Sequence, residues 1–277
     1  MNTKSIGMVA ALAALLSCGS ALADGSLAKV KQAGKLVIAT MPNYPPITYK
    51  DPATNKLTGF DVDLGEAIAA ELGVKVEWQE IQFAQMLPSL QTERVDTALA
   101  GMSDTSARRE IVDFVDYMVS GTQFYTGARQ SATIKTATDL CGKKVGGSRS
   151  TNNPQRIAEW SAVNCEGKGK PAIEVVGTEG SVDARNQLKT MRIDAAVQGN
   201  ETLPYFQAME PNTYVLLGDP LTEEITGLPV LKSKVELRDG IKAAMDNLVK
   251  NGTYAKLLEK YGLARNGVKD IKINAGK

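Results

Sequence analysis

From Leu36 the chain alternates short apolar runs with amphipathic helical ones, and it does so twice. Leu36–Thr40 reads as a strand, ended by Pro42, Pro45 and Pro46. Asp61–Leu72 sets Val62, Leu64, Ile68 and Leu72 at helical spacing and stops at Gly73. Val74–Glu80 alternates as a strand, Phe83–Gln91 forms a short helix, and Asp96–Ala100 is a third strand. After residue 128 the rhythm restarts. Its parts are strand Lys144–Gly147, helix Pro154–Cys165, strand Ile173–Gly177, helix Asp183–Met191 and strand Asp194–Gln198. Each run is β-α-β-α-β, the sequence form of a parallel sheet flanked by helices.

Two such runs predict an α/β chain of two lobes, each a mainly parallel sheet with helices on its faces. The extended segments Ser120–Ala128 and Leu221–Leu231 are expected to cross between them. The helices Val235–Lys250 and Tyr254–Tyr261 then return to the first lobe. The expected division is 29–123 with 228–265 for lobe 1 and 128–222 for lobe 2. Hinge strands fall at about 122–128 and 221–228, and 266–277 is expected to be a flexible tail. Ligands of open α/β sheets bind beyond the C-terminal strand ends. Two lobes facing each other therefore enclose a cleft, and two connections make a hinge that closes on a ligand.

Composition narrows the chemistry. The formal net charge is +1, which argues against a nucleic-acid partner. Histidine is absent, so no Ser-His-Asp or Cys-His nucleophile and no His-ligated zinc site can be built. Three cysteines cannot form a four-thiolate zinc site. Enzymatic acid–base chemistry would have to rest on carboxylates, lysine or tyrosine. Neither a metal nor a cofactor is expected.

Residues 1–23 carry Lys4, the apolar run 6–17 and an Ala21-Leu22-Ala23 cleavage site before Asp24. This is the pattern of a cleaved signal peptide, and the apolar run is short for a membrane span. Lipidation at Cys18 is the second reading, although Leu16 suits that motif poorly. Removal of the signal leaves Cys141 and Cys165. An even pair in an oxidising compartment reads as one disulfide, against the alternative of two buried thiols.

The segment 100–110, AGMSDTSARRE, leads a strand end into Ser103, Thr105 and Arg108. Hydroxyls beside a guanidinium fork suit a carboxylate. Thr151 and Asn152 stand where a helix begins, with its free N–H groups and positive dipole end. Tyr44 follows a strand end, where its flat face can cover a ligand. The structural alternatives are Arg109 as the clamp, Thr151 and Asn152 as simple caps, and Tyr44 as a core aromatic.

Several stretches, in order along the chain, resemble the bacterial extracellular solute-binding proteins of family 3, the polar amino-acid receptors of ABC importers. They are LVIATMPNYPPITYK, GFDVDLGEAIAAELGVKVEW, MLPSLQTERVDTALAGMSDTSARREIVDF, DLCGKKVGG, LKTMRIDAAV and NGTYAKLLEKYG. The resemblance implies a two-lobe periplasmic-binding-protein (Venus flytrap) fold, a periplasmic location and capture of a small molecule for an inner-membrane ABC permease, by a monomer. It implies that Tyr44 lies over the ligand and that Gly101 and Ser103 offer strand-end bonds. Arg108 would grip a carboxylate, which Thr151 and Asn152 would bond from the far side.

The chain departs from that family at two points. Where an aspartate usually meets the ligand's α-ammonium, after the strand ending at Gln198, stands Gly199. Met41 replaces an acid often found after the first strand. Glu201 and Asp104 are the candidates to reach in, with Glu201 as a simple helix cap the alternative, while Asp194 sits at the wrong strand end. The expectation is therefore an amino acid or related organic acid, with ligands lacking a free α-amine favoured. The alternatives are an exported cyclohexadienyl dehydratase-like lyase on the same fold, and a sensing domain acting through a partner.

Overall fold

The computed structural model describes residues 24–276. Residues 1–23, where a signal peptide is expected, lie outside the described residues, Cys18 among them. Among the described residues no helix is long and apolar enough to cross a membrane.

Two lobes form, each with its own apolar core. In the first, strand Lys35–Thr40 is the centre of a three-stranded parallel sheet between Lys75–Glu80 and Thr97–Ala98. Val62, Leu64, Ile68 and Leu72 of helix Phe60–Leu72 are buried beneath it. The helix starts at Gly59, where a Cβ would strike the Ile47 carbonyl, so only glycine permits this entry. Helix Val235–Lys250 closes the lobe with Leu237, Ile241, Met245 and Leu248 inward, as its spacing predicts.

The second lobe is a five-stranded sheet. Glu174–Thr178, Lys144–Ser148 and Ala195–Gly199 run parallel. Thr122–Gly127 and Tyr214–Leu217 complete it in antiparallel pairing. Cys141 and Cys165 form a disulfide, with Cα atoms 5.4 Å apart, that ties the approach to strand Lys144–Ser148 to the end of helix Asn153–Asn164.

Two expectations need correction. The crossing segments are not free hinge strands. Val112–Ser120 belongs to the first lobe and Thr122–Gly127 to the second, so the first crossing is the single residue Gly121. A Cβ there would overlap the Thr222 carbonyl of the returning segment. That segment re-enters the first lobe as strand Glu224–Leu231, paired antiparallel to Val112–Ser120. The hinge regions 122–128 and 221–228 are thus largely absorbed into the two sheets. Extended apolar sequence looks the same whether it crosses a gap or pairs within a lobe.

The other correction is the tail. Gly267–Ile273 is a strand on the far side of Val112–Ser120. Asn274 then inserts at its end. Its side-chain oxygen accepts from Phe114 N–H (2.8 Å), its Nδ2 donates to Asp113 (2.9 Å), and its carbonyl accepts from Arg109 (2.9 Å). Ala275 N–H and Gly276 N–H donate to Asp116 and Asp104, both at 2.7 Å. These partners are polar groups more than a hundred residues away in sequence, so no local periodicity announces the strand.

Two predictions follow from these contacts. Replacing both Cys141 and Cys165 with serine should lower the unfolding free energy by roughly 3 kcal/mol, the chain-entropy value for a loop of this size, read from urea denaturation with and without reductant. Asn274→Ala should cost about 2 kcal/mol by leaving strand-end polar groups unpaired; an unchanged midpoint would show that the tail contributes nothing.

Candidate functional site

The C-terminal strand ends of both lobes face one cavity. It encloses about 90 Å³. One water needs roughly 10–15 Å³, so the space suits a small solute. The first lobe contributes Tyr44, Gly101, Ser103 and Arg108, and the second contributes Thr151, Asn152, Gly199 and Glu201. These eight residues expected from the sequence therefore line the same space, whereas Asp104 and Thr105 do not. Tyr49 and Tyr205 also meet across the lobes, with ring centroids 5.7 Å apart.

Arg108 opens a short helical turn, Arg108–Glu110. Its Nη1 donates to the Ser103 carbonyl at 2.7 Å, and its guanidinium lies 5.4 Å from the centre of the Phe83 ring. Burial lowers its pKa, and the charges of Glu224 and Asp104 oppose that shift. Among the described residues no carboxylate lies within the 4.0 Å of an ion pair with Arg108. Arg109 points elsewhere: it pairs with Asp104 at 3.2 Å and holds the tail at Asn274. Asp104 is thereby tied to Arg109 and Gly276 and does not line the cavity.

Gly101 and Thr151 offer less than the sequence suggests. The Gly101 N–H already donates to Asp61 Oδ2 at 3.1 Å, and its φ of 61° with the Tyr44 ring alongside explains the glycine. The Thr151 hydroxyl donates to the Ser148 carbonyl (2.8 Å) and accepts from Asn153 N–H (3.2 Å). Asn152 Nδ2 donates to Glu224 Oε2 at 3.3 Å.

Glu201 reaches back toward the strand end. It is 4% exposed and lines the cavity. Tyr44 Oη donates to its Oε1 at 2.8 Å and Ser120 Oγ to its Oε2 at 2.5 Å. A Cβ built on Gly199 would overlap both carboxylate oxygens and the Tyr44 hydroxyl. The Glu201 carboxylate thus fills the space of a residue-199 side chain. The acid missing at position 199 is present in space though displaced in sequence, so Gly199 does not exclude an amine-bearing ligand. Asp194 instead accepts from Lys144 N–H at the opposite strand end, as its position implies.

A family model for bacterial extracellular solute-binding proteins, family 3, matches residues 36–264. The chain belongs to this family. It is 29% identical over 255 residues to the L-cystine-binding protein of Escherichia coli strain K12, covering 92% of both chains. Among solved structures it is similar to an ancestral arginine-binding protein bound to arginine, at 33% identity and TM-score 0.73, covering 82% of this chain and 98% of that one. It is also similar to an ancestral amino acid-binding protein described as a precursor of cyclohexadienyl dehydratase, at 29% identity and TM-score 0.75, covering 85% and 99%. This solute-binding protein has the two-lobe fold of these structures.

Phe83, Ser120 and Glu224 line the cavity and were not singled out from the sequence. Ser120 closes a strand, Val112–Ser120, that is otherwise mostly apolar, so only its position at the strand end marks it. Glu224 sits beside the second crossing, where its Oε1 takes Arg156 Nε at 3.2 Å and the Thr222 hydroxyl at 2.9 Å. Neither residue lies in a recognisable local pattern.

Asp61 supports the site from behind. It is fully buried and accepts from Tyr117 Oη at 2.8 Å as well as from Gly101. Burial raises its pKa from 3.8 to about 7, against the pull of those two bonds. Between these values the folded protein holds a proton that the unfolded chain releases. This group's contribution to stability therefore falls as pH rises from about 4 to about 7 and is flat above. Asp61→Asn removes that titration and retains an acceptor for Gly101. The variant should gain stability relative to wild type between pH 4.5 and pH 8 in urea denaturation; a pH-independent difference would refute this assignment.

Proposed function

We propose that this protein is the periplasmic receptor of an ABC importer. It captures one small carboxylate-bearing solute, an amino acid or a close relative, in the interlobe cavity and presents it as a monomer to an inner-membrane permease. The observation that carries this reading is the Arg108 guanidinium, which faces the cavity without an ion-pair partner among the described residues. A partly desolvated guanidinium gains most from a bidentate carboxylate. The relatives' names, which include L-cystine- and arginine-binding proteins, support the same class of ligand.

In this reading the Arg108 fork takes the carboxylate. Ser103 and the start of helix Asn153–Asn164 surround that group, and Tyr44 covers the ligand's body. Closure brings the helix start of one lobe onto a ligand already held by the other, which is how binding energy would be coupled to the closed form a permease recognises.

Arg108→Ala should weaken binding on the order of 100-fold or more in calorimetric titration with the standard amino acids, while the urea unfolding midpoint stays near wild type. Arg108→Lys should recover part of the loss, because a point charge replaces a fork. Mass spectrometry of the small molecule released on denaturing the purified protein identifies the ligand. A released compound without a carboxylate, or normal binding by Arg108→Ala, would return this arginine to a structural role.

A further inference from the structure

The cavity presents two opposite charges from two lobes, and neither has an ionic partner among the described residues. Arg108 stands on the first lobe, Glu201 on the second. Glu201 is nearly fully buried, yet its hydrogen-bond partners, the Tyr44 and Ser120 hydroxyls and its own N–H, are all neutral. A carboxylate offers about four lone-pair sites. These hydroxyls and the Glu201 N–H do not fill them all, which leaves room for a donor arriving from the cavity. Burying an anion on neutral donors alone is costly, and burial accordingly raises the Glu201 pKa against the pull of Ser120 and Tyr44. A cation entering the cavity would remove that cost.

We infer that Glu201 is the specificity-determining acid of this site. It receives the ligand's ammonium group while Arg108 holds the carboxylate, so the protein selects free α-amino acids over the corresponding des-amino acids. Gly199 is the condition for this arrangement, because any side chain there would displace the Glu201 carboxylate and collide with the Tyr44 hydroxyl. Positions 199 and 201 therefore form one unit in which a single acid fits, from either residue but not from both. The same carboxylate is a strut of the closed form. It stands on the second lobe, after strand Ala195–Gly199, while both of its side-chain donors belong to the first lobe. The groups that face it are Ser120, its own N–H, Tyr44 and the more distant charge of Glu224, and Asp61 feels its charge from behind Gly101.

This inference rests on the solute-capture reading, and calorimetry on the mature chain separates the two. The probes are L-arginine and L-glutamine with their des-amino counterparts 5-guanidinopentanoic acid and 4-carbamoylbutanoic acid, together with the other standard amino acids. Wild type is expected to bind at least one α-amino acid, and to prefer it over its des-amino counterpart roughly 100-fold. Glu201→Gln should abolish most of that preference while changing affinity for the des-amino compound less than about 5-fold. Gly199→Asp alone should lose binding through crowding, and Gly199→Asp with Glu201→Ala should recover the preference for the amine. Small-angle scattering should show the Glu201→Ala protein more open at saturating ligand. Equal affinity of wild type for an amino acid and its des-amino counterpart would overturn the role of Glu201 and leave solute capture standing. So would a double variant no better than Glu201→Ala. Failure of wild type to bind any carboxylate probe would overturn the capture reading itself.

Discussion

An ionised group taken out of water must find an opposite charge, or the structure must hold it at a cost of several kcal/mol. The cavity of this protein holds two such groups in a particular way. Each is braced by neutral partners: the Ser103 carbonyl and the Phe83 ring for Arg108, and two hydroxyls for Glu201. Neutral partners orient a charge without cancelling it. Both charges consequently remain available, and in the proposed function a molecule carrying the complementary pair satisfies them together.

The scaffold behind these groups works to the same end. Asp61 fixes the strand end at Gly101 and is itself fixed by Tyr117, so the floor under the Tyr44 ring is set by a buried carboxylate from a neighbouring helix. Two consecutive arginines have separate tasks. Arg109 is tied to Asp104 and to the tail, which anchors the turn from which Arg108 reaches the cavity. The tail strand is thus part of the support of the site as well as of the first lobe's sheet. Across the cleft, Arg156 and Asn152 meet Glu224, placing the helix start against the second crossing.

Legibility followed physical range. Helix Val235–Lys250 has the limits read from its apolar spacing, and Phe60–Leu72 differs by one residue, because a helix buries one face at a fixed local period. The loop and strand-end residues that gather at the cavity were also readable. In a parallel sheet all C-terminal strand ends lie on one side, so naming the strands names the side where chemistry can occur. The tail and the crossing strands were misread because their stabilisation is non-local. Gly267–Ile273 exists through pairing with Val112–Ser120 and through Asp104, Asp113 and Asp116. Phe83, Ser120 and Glu224 were missed for the same reason: each matters only for what lies opposite.

By itself the amino-acid sequence determined the two α/β runs, the family, the absence of histidine chemistry and the residues at the cavity's strand ends. These follow from local periodicity, composition and motif. Only the tertiary structure decided which of two adjacent arginines faces the cavity, that the C-terminal segment is a strand, and that Glu201 occupies the space left open by Gly199. Such outcomes depend on distances between groups far apart in the chain. No pattern of neighbouring residues contains them.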